Sequence, residues 1–220
     1  MRIGILGGTG PAGRGVAVRL AAAGSEVVVG SRDGDRAQGV AATLRDAWPD
    51  HRLAIHGGSN REAAGCDQVV VATPWEGTMA TVGPLADDLS DKVVVSMVNA
   101  LVREGREFLA LMPPRGSVAA SLQAALPGAR VAAAFHHLPA ADMERLDTPL
   151  EADVLVCSDH GDATDATLAL VGGIDGLRAV DAGSLAQAAP IEAFTAVLIT
   201  VNVRHRAHAT VRLAGLLAVR

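Results

Sequence analysis

An α/β fold built on a doubly wound parallel sheet is what this 220-residue sequence predicts, on three observations. Short Val- and Ile-rich runs alternate with Ala-rich stretches of helical period, and such alternation implies right-handed crossovers between parallel strands, with helices on both faces. A glycine-rich turn stands between the first apolar run and the first helical stretch. Half of the residues are apolar and 20% are charged, enough apolar surface for a large core in a chain of this length. With no Tyr, three Phe and two Trp, that core must come from Ala, Val and Leu.

The elements follow in order. "RIGIL" reads as the first strand, Pro11–Ala23 as a helix, "SEVVVGS" as a strand, Asp33–Trp48 as a helix and "HRLAIHG" as the third strand. "DQVVVATP" and "DKVVVSM" are the next two strands, with a helix over Trp75–Asp87 between them. After Met97 the rhythm loosens. "LMPPRGS", Leu111 to Ser117, is a breaker cluster, followed by a short helix to Leu126 and the strand "ARVAAAF". From about Ala141 a second unit reads as strand "ADVLVCS", helix Asp162–Val171, strand "GLRAVD" and a long last helix from about Pro190. The expected organisation is a first domain over residues 1–140 and a small C-terminal α/β domain over 141–220, which helps to form a second-ligand cleft.

A net charge of −5 and a pI near 5.8 argue against a nucleic-acid partner, whose phosphates need clustered Lys and Arg. Cys66 and Cys157 are isolated, without metal-ligand spacing, which favours a reducing compartment and a cytoplasmic location. The chain opens directly on strand and turn rather than on a leader, and no apolar run is expected to reach the ~20 residues of a membrane span.

In "ILGGTGPAGRG", Ile5 to Gly15, the glycines Gly8, Gly10 and Gly13 stand at G-x-G-x-x-G spacing between strand and helix. Gly8 is expected to allow the tight turn, Gly10 to let the backbone approach a pyrophosphate, and Gly13 to let the helix pack close. With Pro11 at the first helical turn, Gly8, Thr9, Gly10, Pro11 and Ala12 form a Rossmann-type dinucleotide cradle. The second strand ends in Ser31-Arg32 with no carboxylate, and Arg36 follows one turn later. Ser31, Arg32 and Arg36 suit a 2′-phosphate and hence NADP(H); the alternative is that the two arginines are solvated charges beside Asp33 and Asp35. Thr73, Pro74 and Trp75 follow the fourth strand, where the ribose or nicotinamide should lie, although Trp75 equally suits a cover over the core. Asn99, after the fifth strand, is placed to reach the nicotinamide or a second ligand.

The run "IGILGGTGPAGRGVAVRLAAAGSEVVVGSR" resembles the start of the NADPH-dependent reductases of coenzyme F420, the deazaflavin hydride carrier. The stretches "DKVVVSMVNAL", "PPRGSVAASLQAALPGARVAAAFHHLPAA", "DVLVCSD", "DAGSL" and "NVRHRAHATVRLAGL" extend the resemblance over nearly the whole chain. It implies a Rossmann domain with a small C-terminal domain, a homodimer, and hydride transfer between nicotinamide C4 and deazaflavin C5. Both reacting atoms then belong to cofactors, so the protein has to hold two rings within ~3–3.5 Å and needs no catalytic side chain. The sequence offers no Ser-His-Asp arrangement, no HExxH and no convincing carboxylate pair.

The resemblance also implies residues for the second ligand. His136 would hydrogen-bond the deazaflavin edge, or else a backbone carbonyl at the domain junction. Asn202, Arg206 and His208, placed on the last helix with Arg204 and Arg212, match the family pattern N-x-R-x-[KR]-A-H-A-x-x-R and would face the cleft or the dimer partner. His205 and His208 lack a third ligand for a metal. The chain departs from the family at Ala189-Pro190-Ile191-Glu192, where an Arg commonly precedes the "LE". Two rival readings remain at this level: an NADP(H)-dependent reductase of a flavin, quinone or small carbonyl compound, and a non-catalytic NADPH-sensing protein.

Overall fold

The structure, a computed structural model, describes residues 1–216. In chain order it contains β1 (Arg2–Leu6), α1 (Pro11–Ala22), β2 (Glu26–Ser31), α2 (Gly34–Ala47), β3 (Ile55–Ser59), α3 (Asn60–Ala64), β4 (Gln68–Val71), α4 (Trp75–Val82) and β5 (Val93–Ser96). There follow β6 (Leu101–Glu104), β7 (Glu107–Ala110), α5 (Val118–Ala125), β8 (Arg130–Ala133), α6 (Ala140–Met143), β9 (Ala152–Ser158), α7 (Gly161–Gly172), β10 (Leu177–Asp181) and α8 (Ala188–His205).

Eight strands form one sheet in the order β10-β9-β8-β5-β4-β1-β2-β3. The strands read as continuous apolar runs because helices cover both faces. Ile3, Ile5, Val27, Val29, Val70 and Val95 are buried on one side, and Leu6, Val28, Val69, Val71 and Val94 on the other. β1 pairs in parallel with both β2 and β4, so the winding reverses there, and ligands of such sheets lie beyond the carboxyl ends at that point. Polar residues cap α2 and α3: the Asp33 carboxylate accepts from Arg36 N–H (3.1 Å), and Ser59 and Glu62 form a reciprocal capping box at α3.

Four features depart from the expectations. β9 joins β8 in an antiparallel pairing, Ala132 opposite Ser158 and Ala133 opposite Cys157, so the expected division near residue 140 is crossed by one sheet; β9 and β10 cover an edge that β8 would otherwise leave unpaired. Residues 101–110 form a separate antiparallel hairpin, β6–β7, with Gly105 at φ 58° in its turn. Its side chains are mostly exposed, which is why no apolar alternation announces it.

The last helix ends earlier than expected. Arg206 adopts φ 52° and the chain turns back, so Arg206, His208 and Arg212 are not helical. Asn202 holds the return: its Nδ2 donates to Ala209 O (3.2 Å) and its Oδ1 accepts from Ala209 N–H (2.7 Å). Finally, Leu185–His205 spans 21 residues at mean hydropathy 1.3, long and apolar enough by that measure to cross a membrane, contrary to the expectation. In this fold one face of the helix packs on the protein, burying Ile191, Glu192, Thr195, Ala196 and Leu198, while Phe194, Val197 and Val201 on the other face are exposed.

Candidate active site

The glycine loop shows which glycines the fold itself requires. Gly7, not Gly8, carries the left-handed turn, at φ 70°. Gly8 N–H donates to Gly30 O (2.9 Å), which ties the loop to β2. A Cβ on Gly13 would lie 2.6 Å from Gly8 Cα, so a side chain there would push α1 away from the loop. A Cβ on Gly10 would meet nothing nearer than Gly7 O at 3.7 Å. The packing of the protein itself does not demand glycine at that position. α1 starts at Pro11 with no side-chain cap and no acidic residue in its first turn, so its first N–H groups and the positive end of its dipole remain available to an anion.

A cavity of about 420 Å³ opens before this loop. Gly7, Thr9, Gly10, Ser31, Arg32, Arg36, Thr73 and Pro74 line it, at the ends of β1, β2 and β4. Asp33 is engaged as the α2 cap, which turns its carboxylate toward the helix end. Asn60 also lines the cavity and was missed by sequence reasoning; its Oδ1 accepts from Gly7 N–H (3.2 Å). The capping-box spacing of "SNRE" after β3 was the available signal. Trp75 opens α4 and packs against the core beneath the loop, with its indole N–H buried and unbonded.

A second cavity of about 240 Å³ lies beyond the ends of β5 and β8, lined by Ala12, Met97, Asn99, Phe135, His136, Leu138, Thr195, Leu198 and Asn202 among others. The two flank the opening turn of α1, where Gly10 lines the first cavity and Ala12 the second. Phe135, fully buried, has φ 66°, a conformation that costs a bulky residue about 1–3 kcal/mol and clusters at functional sites. It redirects the chain so that both following histidines turn inward. His137 pairs through Nε2 with Ile191 O (2.8 Å).

His136 is 5% exposed. Its Nδ1 is 3.0 Å from Asn99 Oδ1, and its Nε2 is buried without a partner. Burial, with His137 beside it, pushes its pKa down to about 3, so the ring is neutral. Asn99 is committed to this network rather than extended toward the first cavity: Oδ1 also accepts from the Thr195 hydroxyl (3.0 Å), and Nδ2 donates to His136 O (3.4 Å). Thr195, on α8, was missed because nothing in an apolar helical run marks one threonine as facing a cleft.

The remaining predicted residues lie at the margin. Asn202 lines the second cavity while its amide holds the tail. Arg206 is exposed at the end of α8. His208 is exposed on the returning tail, with Nδ1 2.7 Å from Asp142 Oδ1.

The wall of the second cavity at Pro139 and Ala140 is pinned to α1. Arg19, 6% exposed, donates to Met143 O (3.1 Å), Asp142 O (2.9 Å), Thr148 O (3.1 Å) and Arg145 O, and Arg14 makes a two-pronged bond to Glu144 (3.0 and 2.8 Å). Glu192, on α8, accepts from Val118 N–H (2.8 Å) and Ala119 N–H (3.0 Å) at the start of α5. Burial pushes its carboxyl up to about 7 despite those two bonds.

Comparison with known proteins gives the family. Residues 2–100 match the family described as NADP oxidoreductase coenzyme F420-dependent. The F420-dependent NADP reductase of Methanothermobacter thermautotrophicus is 34% identical, over 98% of this chain and 94% of its own. That of Methanocaldococcus jannaschii is 35% identical over 96% of both. Among solved structures, a protein from Arthrobacter sp. FB24 shares the fold at a TM-score of 0.82 and 24% identity, covering 97% of this chain and 99% of its own. With full-length relatives at this level of identity, the chain belongs to the family of coenzyme F420-dependent NADP oxidoreductases.

Proposed function

We propose that this protein transfers a hydride between NADP(H) and coenzyme F420. The observation that carries the reading is the placing of two unlike cavities on either side of the first turn of α1, one suited to phosphates and the other mostly apolar with one bare polar atom. When both are bound, nicotinamide and deazaflavin supply the carbon that gives the hydride and the carbon that takes it. The chain binds and orients. The α1 N-terminus and Gly8, Thr9, Gly10, Pro11 and Ala12 receive the pyrophosphate; Ser31, Arg32 and Arg36 receive the 2′-phosphate; Thr73 and Pro74 form the wall toward the ribose.

Met97, Phe135, Leu138 and Leu198 exclude water where the rings meet. His136 offers Nε2 to the deazaflavin edge. Asn202 from the wall, with Arg206 and His208 from the rim, serves the anionic tail of that ligand. We further propose a cytoplasmic homodimer with small-molecule partners only; the exposed Phe194, Val197 and Val201 on α8 support a contact between copies.

The test is the absorbance of oxidised F420 mixed with the purified protein and NADPH, with NADH, free flavin and a small carbonyl compound in parallel. Rapid bleaching with NADPH and F420 is expected. Bleaching only with another acceptor would establish a different reductase, and tight NADPH binding without turnover of any acceptor would make the protein a sensor.

A further inference from the structure

We propose that Asn99 and Thr195 are positioning residues that lock His136 in its Nδ1–H form, so that the second cavity presents one neutral acceptor and selects a ring bearing an N–H at that place. The inference rests on the function proposed above, in which that ring is the deazaflavin, and the matching group is the imide N–H between the two carbonyls of its pyrimidine ring.

The lock follows from a chain of forced assignments. The backbone carbonyl of His136 can only accept a hydrogen bond. Asn99 Nδ2 lies 3.4 Å from that oxygen, and rotating the amide would set oxygen against oxygen. Asn99 Oδ1 must therefore be the atom 3.0 Å from His136 Nδ1. It is also the nearer of two acceptors for the Thr195 hydroxyl, 3.0 Å against 3.4 Å to His136 O, so Thr195 holds the amide from the other side. An amide oxygen carries no proton; the proton of this contact must sit on Nδ1. A neutral imidazole has only one, and which nitrogen carries it is set by the bond the other makes. Nε2 is thus a bare lone pair.

That lone pair is buried and unpartnered on a residue that lines the second cavity, and buried acceptors are rarely left unsatisfied without a functional reason. The strained Phe135 directly before it shows that the fold accepts a cost to set the ring there. A ligand with a carbonyl opposite Nε2 would be repelled, and one with an N–H accepted, so the tautomer acts as a filter on orientation as well as on identity.

The experiment combines nitrogen NMR of histidine-labelled protein without cofactors and steady-state kinetics. The His136 signals are assigned by their loss in His136→Gln. Wild type is expected to show a protonated Nδ1 and a bare Nε2. Asn99→Ala should move the proton toward Nε2 and raise the KM for F420 about tenfold, on the order of one hydrogen bond, with the KM for NADPH unchanged. Asn99→Asp keeps an oxygen toward Nδ1 and should retain a protonated Nδ1; because it also sets an oxygen against His136 O, the Tm of both Asn99 variants is read beside wild type, and a tautomer that follows Tm rather than the oxygen would overturn the lock. A deazaflavin methylated on the imide nitrogen should lose about tenfold with wild type and little with Asn99→Ala. A protonated Nε2 in wild type, or an unchanged tautomer in Asn99→Ala, would overturn the lock. The expected tautomer with no F420 turnover would uphold the lock and overturn the substrate instead.

Discussion

The two cavities share one turn of helix and are built on opposite principles. The cavity at the glycine loop is made of loop backbone and of exposed side chains, Arg32 and Arg36, standing at its rim. The second cavity is lined by largely buried side chains that are held in place: Thr195 to Asn99, Asn99 to His136 and His137 to Ile191 O, with Glu192 behind them on the start of α5. A phosphate can be gripped by mobile charges, because charge-assisted bonds tolerate adjustment and the groups become ordered as the ligand arrives. A ring that must meet another within ~3–3.5 Å needs walls that are set beforehand. On this comparison, damage to the second region should propagate into stability, whereas damage to the first should appear as lost affinity alone.

The sharpest way to break the comparison is Arg19→Met. It keeps much of the apolar bulk but removes the donor for four carbonyls of the wall. Leaving such acceptors unsatisfied should cost about 3 kcal/mol or more and lower Tm by roughly 10 °C in a chain of this size, with weaker F420 binding. An unchanged Tm would mean that the wall is not pinned.

Gly10→Val is the counterpart on the other side. Its Cβ finds open space and its φ of −78° suits any residue, so Tm should stay within a few degrees while NADPH affinity falls by on the order of a hundredfold. Gly13→Val, 2.6 Å from Gly8 Cα, should lose both, and calorimetry with NADPH titration separates the two cases. Next in size, Arg32→Ala with Arg36→Ala should erase roughly thirtyfold of the preference for NADPH over NADH, a loss of exposed charge-assisted bonds. An unchanged preference would return the arginines to solvated surface charges.

The same contrast explains what could be read before the structure. The side at the glycine loop is local in sequence: Gly8 to Gly13 and Ser31 to Arg36 each fall within one strand–turn–helix unit, where spacing alone places residues together. The second side is assembled across the chain. Asn99, His136 and Thr195 meet only because β5 pairs with β8 and α8 lies over both ends. No period or motif encodes that meeting, so His136 was legible through family resemblance and Thr195 not at all. Arg206 and His208 were placed on a helix because the pattern Asn202–Arg212 continues past the point where the φ of 52° at Arg206 ends it. The hairpin β6–β7 escaped for a related reason, since a ribbon with one exposed face carries little apolar signal.

The smallest effect is in pH dependence, and it belongs to the second region. Burial lowers the pKa of His136 to about 3 and lowers that of His137. Below about pH 6.5 the unfolded chain therefore takes up a proton on His136 that the folded chain refuses, His137 acts in the same sense, and stability contributed by these rings is lost as pH falls. Glu192 acts in the opposite sense. Its carboxyl is raised to about 7, so it contributes stability at low pH that disappears as pH rises through 7. Between about pH 4.5 and 6.5 the proton refused by His136 opposes the one held by Glu192, each worth about 1.4 kcal/mol per pH unit at most, and the lowered His137 tips wild type toward losing stability on acidification. His136→Gln should flatten that slope and Glu192→Gln should steepen it, as read from urea midpoints at constant ionic strength. The window stops above the range where Asp153, held down by Arg178, takes up its proton. Parallel slopes in wild type and His136→Gln would show that the His136 ring is hydrated in the folded protein, and the rigid, dry wall that separates the second cavity from the first would have to be given up.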